Sequence, residues 1–387
     1  MARHLTLVRA PDLLESGGGA VLRAVVEPAL RACLDGIAPL AVLPSGPTAV
    51  VDAARAALRP EEPLESGADL VVATSGSAGR ARAVLLSADA VRASAAATLE
   101  RLGGPGSWLL TLPVSAIAGL QVLCRSALAD RPVTVLERGE RLGTALGRLP
   151  AGDRRYTSLV PTQLRRFLET DADALRAFDA VLVGGAATDP GLLDRARRAG
   201  VAVTTTYGMT ETAGGCVYDG RPLSGVRVGA DADGVRLAGP MLALGYRLDP
   251  AATAAAFVDG WFLTRDAGSL DADGALTVSG RLDDVVVTGG VNVAPAAVEA
   301  ALREHPGVED AVVFGRPDDE WGQRVVAAVV PTDDSEPELA ALRAGVTQRL
   351  GAPAAPRELH TIASVPALHT GKPDRRAVAA AVLEGVR

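Results

Sequence analysis

The chain has 387 residues, 48% of them hydrophobic and 22% charged, which predicts a protein folded throughout into two units and excludes a disordered chain. Lys and Arg number 39 against 46 Asp and Glu, a net charge of −7, and no basic run is present that would neutralise a nucleic-acid backbone. No segment approaches the roughly 20 apolar residues that span a bilayer. We therefore expect neither nucleic acid nor a membrane as a partner.

Cysteine and histidine usage restricts the chemistry further. The three cysteines are far apart and form no CxxC pair, which favours a reduced, cytoplasmic location. None of the four histidines is spaced with Cys, Asp or Glu as in a metal site, so a zinc enzyme is not expected.

The first 225 residues read as α/β units, in which short Val/Leu-rich runs alternate with stretches of helical spacing. The clearest pairs are a strand over 69–73 with a helix over 87–102, and a strand over 180–183 with a helix over 190–199. A small β subdomain is predicted over 225–280, because Asp-Gly turns at 233–234, 259–260 and 273–274 are hairpin signals.

The chain after Asp283 reads as a compact α+β unit. Its pattern predicts strands at 285–287, 311–314 and 325–330, a helix at 295–304, a helix ending at 350 and a closing helix from 374. We place the domain boundary between residues 282 and 283, which gives domains of 1–282 and 283–387.

Small hydroxyl residues and glycines fill the segment Thr74-Ser-Gly-Ser-Ala-Gly-Arg-Ala-Arg82. It lies between the predicted strand at 69–73 and the predicted helix near Ser87, and a strand–helix junction of this composition lets backbone N–H groups approach a polyphosphate. The segment lacks the G-x-x-x-x-G-K-[ST] pattern, so it is not a Walker loop. Taken alone, it is equally compatible with an ordinary Ser/Gly loop.

This segment resembles the signature TSG-[ST]-[ST]-G-x-P-K-x-V of the adenylate-forming acyl-CoA ligase superfamily. Two positions depart from the signature, since Ala81 replaces Pro and Arg82 replaces Lys. The resemblance implies that the segment binds the phosphates of ATP. The residues implied are Thr74, Ser75, Gly76, Ser77, Gly79 and Arg82.

A second string, Thr204-Thr-Thr-Tyr-Gly-Met-Thr-Glu-Thr212, resembles the family motif Y-G-x-T-E. The resemblance implies that Thr210 bonds the α-phosphate, that Glu211 holds Mg²⁺ and that Tyr207 packs near adenine. A metal and its carboxylate ligand would neutralise charge as an acid attacks the nucleotide. Upstream, Gly185 and Ala186 match a family Gly-Gly-Ala that lies against the adenine ring.

Three further matches follow in the order of the family. Thr264-Arg-Asp266 implies a ribose-binding Asp266, and the string from Ser279 to Pro295 resembles the hinge of the family, with Arg281 on the ribose and Asp283 as the pivot. In the same string Gly289 and Gly290 would lie by the pantetheine arm of coenzyme A. The segment His369-Thr-Gly-Lys-Pro-Asp-Arg375 places Lys372 at the position of the adenylation lysine.

The resemblance runs from residue 74 to 376 and implies the adenylate-forming ligase fold. That fold combines α/β and α+β parts: a large N-terminal domain of α/β layers with a β subdomain, and a small mobile α+β C-terminal domain. The implied activity is an ATP-dependent acid–CoA ligation through an acyl-AMP intermediate. ATP, Mg²⁺ and coenzyme A are the expected small-molecule partners, with Thr210, Glu211 and Lys372 as catalytic residues.

Within the superfamily the chain resembles the o-succinylbenzoate–CoA ligases of menaquinone biosynthesis. Leu112 to Leu120 matches their L-P-x-H-H-I-A-G-L, with Ser115 and Ala116 in place of both histidines. We expect Ser115, Gln121 and Gly208 to line the acid pocket. Arg125 is a candidate partner for a second carboxylate, although a solvated or interdomain arginine fits equally well at this stage.

Three alternatives remain open. The first is a CoA ligase for another aryl or medium-chain acid, which shares every motif. The second is an adenylation enzyme that feeds a carrier protein, and the third, from another class, is a non-catalytic nucleotide-binding descendant. The sequence does not give the oligomeric state.

Overall fold

A computed structural model describes residues 3–11, 18–74, 81–332, 337–366 and 374–384. The chain forms two compact units. The first comprises residues 1–188, 192–229 and 236–263, and the second comprises residues 189–191, 230–235 and 264–387.

The strands are numbered in chain order. They are Thr6–Arg9 (β1), Leu40–Leu43 (β2), Leu70–Thr74 (β3), Arg82–Leu86 (β4), Ser107–Leu110 (β5), Thr134–Val135 (β6), Arg155–Leu159 (β7), Ala180–Gly184 (β8), Val203–Met209 (β9), Gly214–Tyr218 (β10), Arg221–Pro222 (β11), Arg227–Asp231 (β12), Gly234–Ala238 (β13), Gly245–Tyr246 (β14), Phe257–Val258 (β15), Trp261–Leu263 (β16), Asp266–Leu270 (β17), Leu276–Arg281 (β18), Val286–Thr288 (β19), Val291–Val293 (β20), Val308–Asp318 (β21), Gly322–Pro331 (β22) and Glu358–Thr361 (β23).

The α-helices are numbered in the same way. They are Gly18–Val21 (α1), Glu27–Leu34 (α2), Thr48–Leu58 (α3), Ala88–Arg101 (α4), Ile117–Leu128 (α5), Leu142–Leu146 (α6), Pro161–Thr170 (α7), Ala172–Arg176 (α8), Pro190–Arg198 (α9), Pro250–Ala256 (α10), Pro295–Arg303 (α11), Leu339–Leu350 (α12) and Arg375–Glu384 (α13). A π-helical turn covers Leu22–Val26, and 3₁₀ turns cover Thr210–Thr212, Leu282–Asp284 and Ala352–Ala354.

Two large sheets organise the first unit. One has the order β1-β2-β3-β4-β14 and the other the order β11-β10-β9-β8-β7-β5-β6. In the seven-stranded sheet β5 to β9 are mutually parallel, whereas β10 pairs antiparallel to β9. Parallel strands covered on both faces are continuous apolar runs, and β8 reads Ala-Val-Leu-Val-Gly. The segments that follow β5, β8 and β9 consequently leave the sheet together, at the carboxyl ends of these strands.

The second unit is smaller and mostly antiparallel. Its main sheet has the order β20-β19-β22-β21, with β23 parallel to β22, and β17 and β18 form a separate hairpin. Val298 and Leu302 of α11 and Leu342 and Val346 of α12 are buried in one apolar cluster with valines on one face of β21 and β22, such as Val313 and Val325. Val378 of α13 packs on the opposite face of that sheet.

The predicted α/β and α+β elements are confirmed, with boundaries that differ by at most four residues. The Asp-Gly turn at 259–260 connects β15 to β16, the one at 273–274 lies between β17 and β18, and Gly234 begins β13. These turns were predictable because glycine accepts the positive φ that such hairpins need, and φ is +77° at Gly260 and +73° at Gly274.

The predicted strand–helix junction after β3 is wrong. Residues 82–86 form β4, which pairs antiparallel with β3 from Leu70↔Leu86 to Thr74↔Arg82, and α4 begins only after β4. The apolar run Ala83–Leu86 is buried, and a buried backbone segment beside an open sheet edge satisfies its hydrogen bonds as a strand. The phosphate-loop candidate therefore closes a hairpin.

Asp283, the predicted pivot, lies inside the second compact unit, and the boundary between residues 282 and 283 remains a prediction. No helix within the described ranges is long and apolar enough to cross a bilayer.

Candidate active site

The stem of the phosphate-loop candidate is well defined. Thr74 ends β3 opposite Arg82, which begins β4, and the Thr74 hydroxyl donates to the Arg82 carbonyl at 3.3 Å. Ser75, Gly76, Ser77 and Gly79, predicted to bind phosphate, lie outside the described residues. The two described members of the predicted set thus flank the loop on adjacent strands.

Tyr246 joins Arg82 to the predicted metal ligand. The Tyr246 hydroxyl donates to Glu211 Oε1 at 2.9 Å, and the Arg82 guanidinium lies 5.2 Å from the centre of the Tyr246 ring. Burial raises the pKa of Tyr246 well above its usual value, and the negative charge of Glu211 raises it further. The phenol therefore stays protonated at neutral pH and donates a hydrogen bond to Glu211.

The turn that carries Thr210 and Glu211 is held by its own side chains. Thr212 Oγ1 accepts from the Met209 N–H at 2.9 Å and donates to the Gly214 carbonyl at 2.7 Å. Ala213 has a left-handed φ of +49°, which reverses the chain into β10. Thr210 is buried and Glu211 is half-buried, so the carboxylate keeps access to a ligand.

The adenine-binding candidates lie near the carboxyl ends of two neighbouring parallel strands, β8 and β9. Gly184 pairs with Thr206 in the parallel β8–β9 ladder, so Gly185 and Ala186 leave the sheet beside Tyr207 and Gly208. A side chain at Gly184 would place its Cβ 2.1 Å from Thr206 Oγ1. The predicted Gly-Gly-Ala and Tyr-Gly segments are therefore neighbours.

Glycine at 208 is required by the strand pairing. A Cβ there would lie 2.2 Å from the Gly214 carbonyl oxygen, because Gly208 pairs with Gly215 of β10. This close approach gives Gly208 a structural role whether or not it also lines the acid pocket.

Two of the acid-pocket candidates have distinct surroundings. Ser115 is half-buried in the segment between β5 and α5, beyond the carboxyl end of β5. Gln121 is fully buried and donates from Nε2 to the carbonyls of Ala213 at 2.7 Å and Val91 at 3.2 Å. Gln121 thus fixes the backbone just after Glu211, and its Oε1 is buried without a described partner.

Arg125 follows Gln121 by one helical turn and is also buried. Its guanidinium lies 5.0 Å from the centre of the Trp108 ring, and Nη2 is 3.5 Å from the Tyr218 hydroxyl. It forms no ion pair with any carboxylate in the described ranges, and its Nε is buried without a partner. A buried guanidinium without a counter-ion is costly, which favours an anionic ligand at this place.

The ribose candidates of the second unit form a charged cluster. Arg281 Nη1 lies 3.4 Å from Asp266 Oδ1, and Arg281 Nη2 lies 3.1 Å from Asp283 Oδ2. Arg265 binds Asp283 Oδ1 through two nitrogens at 2.6 and 2.9 Å. The hydrogen bond from Arg265 lowers the pKa of the Asp283 carboxyl. The structure therefore brings Asp266, Arg281 and the predicted pivot together.

Gly289 and Gly290 form the turn of the β19–β20 hairpin, with φ of +57° and +77°. The Gly289 N–H donates to the Trp321 carbonyl at 2.9 Å, and a Cβ at Gly289 would lie 2.8 Å from the Trp321 ring. Lys372 lies outside the described residues.

The ends of the Lys372 segment are fixed by contacts that the sequence did not indicate. The Asp374 N–H donates to the Pro366 carbonyl at 2.7 Å, and Asp374 Oδ1 caps α13 by accepting from the Ala377 N–H. Arg375 binds the buried carboxylate of Glu299 through both terminal nitrogens, at 2.5 and 2.6 Å. The two ends of residues 367–373 are thus held together.

Magnesium fits the residues at Glu211. No group of three or more acidic, histidine or cysteine side chains within the described ranges forms a ready metal cage. Mg²⁺ in nucleotide sites uses one or two carboxylates together with substrate phosphates and water, and Glu211 supplies one carboxylate with Oε1 already engaged by Tyr246.

Comparison with known proteins found two family models that match parts of the chain. The family described as "AMP-binding enzyme" matches residues 27–242, and "AMP-binding enzyme C-terminal domain" matches residues 297–372. A protein named "Probable 2-succinylbenzoate--CoA ligase" from Mycobacterium tuberculosis is 46% identical over 367 residues, which cover 92% of this chain and 94% of that protein.

Two solved structures have the same fold. The o-succinylbenzoate CoA synthetase MenE from Bacillus subtilis, in complex with the acyl-adenylate intermediate OSB-AMP, aligns with a TM-score of 0.73 at 25% identity over 91% of this chain and 80% of that one. The amide bond synthetase McbA from Marinactinospora thermotolerans aligns with a TM-score of 0.75 at 27% identity over 97% and 89%.

Proposed function

The chain belongs to the AMP-binding enzyme family, and we propose that it is an AMP-forming ligase that joins 2-succinylbenzoate to coenzyme A. The single observation that carries the proposal is the meeting of Arg82 and Glu211 around Tyr246, at the end of the phosphate-loop hairpin. A cation and a metal-binding carboxylate at one place suit a triphosphate.

The reaction has two steps. An oxygen of the carboxylate attacks the α-phosphorus of ATP, a new P–O bond forms, the bond to the β-phosphate breaks, and pyrophosphate leaves. The thiol sulfur of coenzyme A then attacks the acyl carbon, its proton passes to solvent, and AMP leaves with the C–O bond electrons.

The nucleotide roles follow the chemistry of each side chain. Glu211 would hold Mg²⁺ for charge neutralisation of the nucleotide, Thr210 would donate to the α-phosphate, and the segment between Thr74 and Arg82 would bind the outer phosphates. Gly185, Ala186 and Tyr207 contact the adenine ring. Asp266 accepts from the ribose hydroxyls, and Arg281, already bonded to Asp266, orients that carboxylate.

Lys372 takes the adenylation role, and a feature of the whole sequence supports this. It is the sole lysine among 387 residues, so every other side-chain cation besides histidine is an arginine. A compact ammonium with three donors can bridge a carboxylate oxygen and a phosphate oxygen in a way that a planar guanidinium does not. A chain that uses arginine everywhere else and lysine here is explained by that difference.

Rotation at Asp283 would exchange the adenylation and thioester-forming arrangements, with Gly289 and Gly290 beside the pantetheine arm. Asp283 forms ion pairs with both Arg265 and Arg281, and these exposed ion pairs are weak enough to rearrange.

The choice of acid rests on Arg125. 2-Succinylbenzoate has two carboxylates, one activated by ATP and one that persists. The buried Arg125 guanidinium, which has no ion-pair partner among the described residues, is a fitting partner for the second. Ser115 in place of a histidine leaves room in the segment that precedes α5.

The decisive test of the acid compares 2-succinylbenzoate with 3-benzoylpropionate, which has the same ketone and reacting carboxylate but lacks the second carboxylate. A buried charge left without its partner costs about 2–5 kcal/mol, so kcat/KM for the dicarboxylate should be roughly 30-fold or more above that for the analogue. In Arg125→Met this ratio should fall towards one. Equal kcat/KM values in the unsubstituted protein would refute the assignment and favour a ligase for another acid.

A second experiment separates the half-reactions. Lys372→Ala should abolish acid-dependent exchange of pyrophosphate into ATP and spare thioester formation from supplied acyl-AMP, and Lys372→Arg, the matched control that keeps the charge, should also lose exchange. Equal loss of both half-reactions would contradict the role. Transfer of the acyl group to a carrier protein instead of coenzyme A would favour the carrier-protein alternative, and the absence of ATP turnover would indicate a non-catalytic descendant.

A further inference from the structure

We infer that Tyr246 is a positioning residue that holds Glu211 in the orientation needed to bind the nucleotide-associated metal. The inference rests on the proposed function, because it takes Glu211 as the metal ligand. Its basis is one hydrogen bond, from the Tyr246 hydroxyl to Glu211 Oε1 at 2.9 Å, in a place where both partners are restrained by other contacts.

The Tyr246 ring is fixed from several sides. It is 7% exposed, and the Phe257 ring contacts it edge-on at 5.9 Å between centres. The Tyr246 N–H donates to Thr253 Oγ1 at 2.9 Å, and β14 pairs with β4, with Tyr246 opposite Val84. A phenol held in this way can impose an orientation on a flexible carboxylate.

The backbone of Glu211 is anchored to the same segment. The Ala243 N–H donates to the Glu211 carbonyl at 2.8 Å, three residues before Tyr246. Main chain and side chain of Glu211 are therefore both bonded to residues 243–246. One carboxylate oxygen accepts from the phenol, so the other oxygen would serve as the metal ligand.

The position of Arg82 explains why an aromatic hydrogen-bond donor suits this place better than an aliphatic one. Its guanidinium lies over the face of the ring that donates to Glu211, so the aromatic face attracts the cation while the hydroxyl engages the anion. Arg82 and Glu211 thus both contact Tyr246, and the ion pairs among the described residues include none between the two. A direct pair would withdraw both charges from the phosphates and the metal.

The test measures metal binding without turnover. The dissociation constant of α,β-methylene-ATP, in which the bond to be broken is replaced, is measured by calorimetry with excess Mg²⁺ and with EDTA. The ratio of the two constants reports the contribution of the metal.

In Tyr246→Phe the ring and its contact with Arg82 remain and the hydroxyl is lost. Loss of a partner that orients a metal ligand typically costs 10–100-fold in metal affinity, so the Mg²⁺-dependent gain should fall by about that factor while the constant in EDTA stays unchanged. Tyr156→Phe is the matched control, because it removes a phenol that donates to the carbonyls of Leu102 and Gly104 away from this site. It should leave both constants unchanged.

A double substitution separates positioning from a general structural effect. If Tyr246 acts through Glu211, Tyr246→Phe should have no further effect on the Mg²⁺ gain in a Glu211→Gln background. A Tyr246→Phe protein with the full Mg²⁺ gain, or an equal added loss in the Glu211→Gln background, would overturn the inference and leave the proposed function intact. Absence of any Mg²⁺ gain in the unsubstituted protein would instead overturn the proposed function, and the inference with it.

Discussion

Glu299→Gln should destabilise the second unit and impair adenylation. Glu299 is 3% exposed, and its carboxylate accepts from Arg375 Nη1 at 2.5 Å, Arg375 Nη2 at 2.6 Å and the Val313 N–H at 2.9 Å. The amide keeps one acceptor and turns a donor towards the guanidinium, so the positive charge of Arg375 loses its counter-ion. Breaking a buried pair costs about 3–5 kcal/mol, and because the Arg375 side chain is 35% exposed we expect a cost near the lower end of that range.

The same substitution five residues later is the matched control. Glu304 pairs with Arg349, but the two side chains are 47% and 56% exposed. Glu304→Gln should therefore change the free energy of unfolding by about 0–1 kcal/mol.

Hydrogen exchange on the full-length protein provides the assay. Amides of β21 and β22 in Glu299→Gln should exchange about two to three orders of magnitude faster than in Glu304→Gln, in line with the difference in free energy. Because Arg375 follows Lys372 by three residues and the Asp374 N–H closes the segment onto Pro366, pyrophosphate exchange should fall more than thioester formation from acyl-AMP. Equal protection in the two glutamine variants would refute the argument that burial makes this pair indispensable.

Other predictions concern the thiols, a sheet glycine and a buried arginine. Burial raises the pKa of the thiols of Cys33, Cys124 and Cys216 to about 12. None of them should therefore react with a disulfide reagent at pH 8 in the folded protein, and three equivalents of thiol should react once the chain is unfolded. Gly208→Ala should lower both the melting temperature and the turnover. Its Cβ would clash with the Gly214 carbonyl, and the resulting strain should reduce the free energy of unfolding by about 1–3 kcal/mol; unchanged stability would contradict this. Arg247→Met should cost about 3–5 kcal/mol in urea unfolding, since it leaves Glu65 and four carbonyls without their donor, whereas Arg59→Met, in an exposed pair, should cost under about 1 kcal/mol.

Local signals account for the parts of the fold that were predictable. The helix ending at Leu350 and the hairpin turns near Gly260 and Gly274 depend on residues within a few positions of each other. The strand at Arg82–Leu86 was missed because its four-residue apolar run reads equally as the approach to a helix, and its pairing with β14 links positions about 160 residues apart. Periodicity carries no information about such partners.

The candidate site divides in the same way. Glu211, Asp266 and Arg281 lie in short strings that the family resemblance identifies one at a time. No role was predicted for Tyr246, and its hydroxyl matters only because Glu211 lies opposite it in space. Glu299 and Arg375 are 76 positions apart, and no spacing rule connects them.

The late strand β14 has a consequence for how the protein is made. Strands β1 to β4 are synthesised well before Gly245–Tyr246, which forms the strand that pairs with β4 and completes the sheet. Arg247, which ties the loop at 58–65, is at least 182 residues downstream of its contacts. Nascent chains halted before that point expose an unpaired apolar edge to one another, so we expect them to need chaperone protection and to commit to the native state only after more than half of translation is complete.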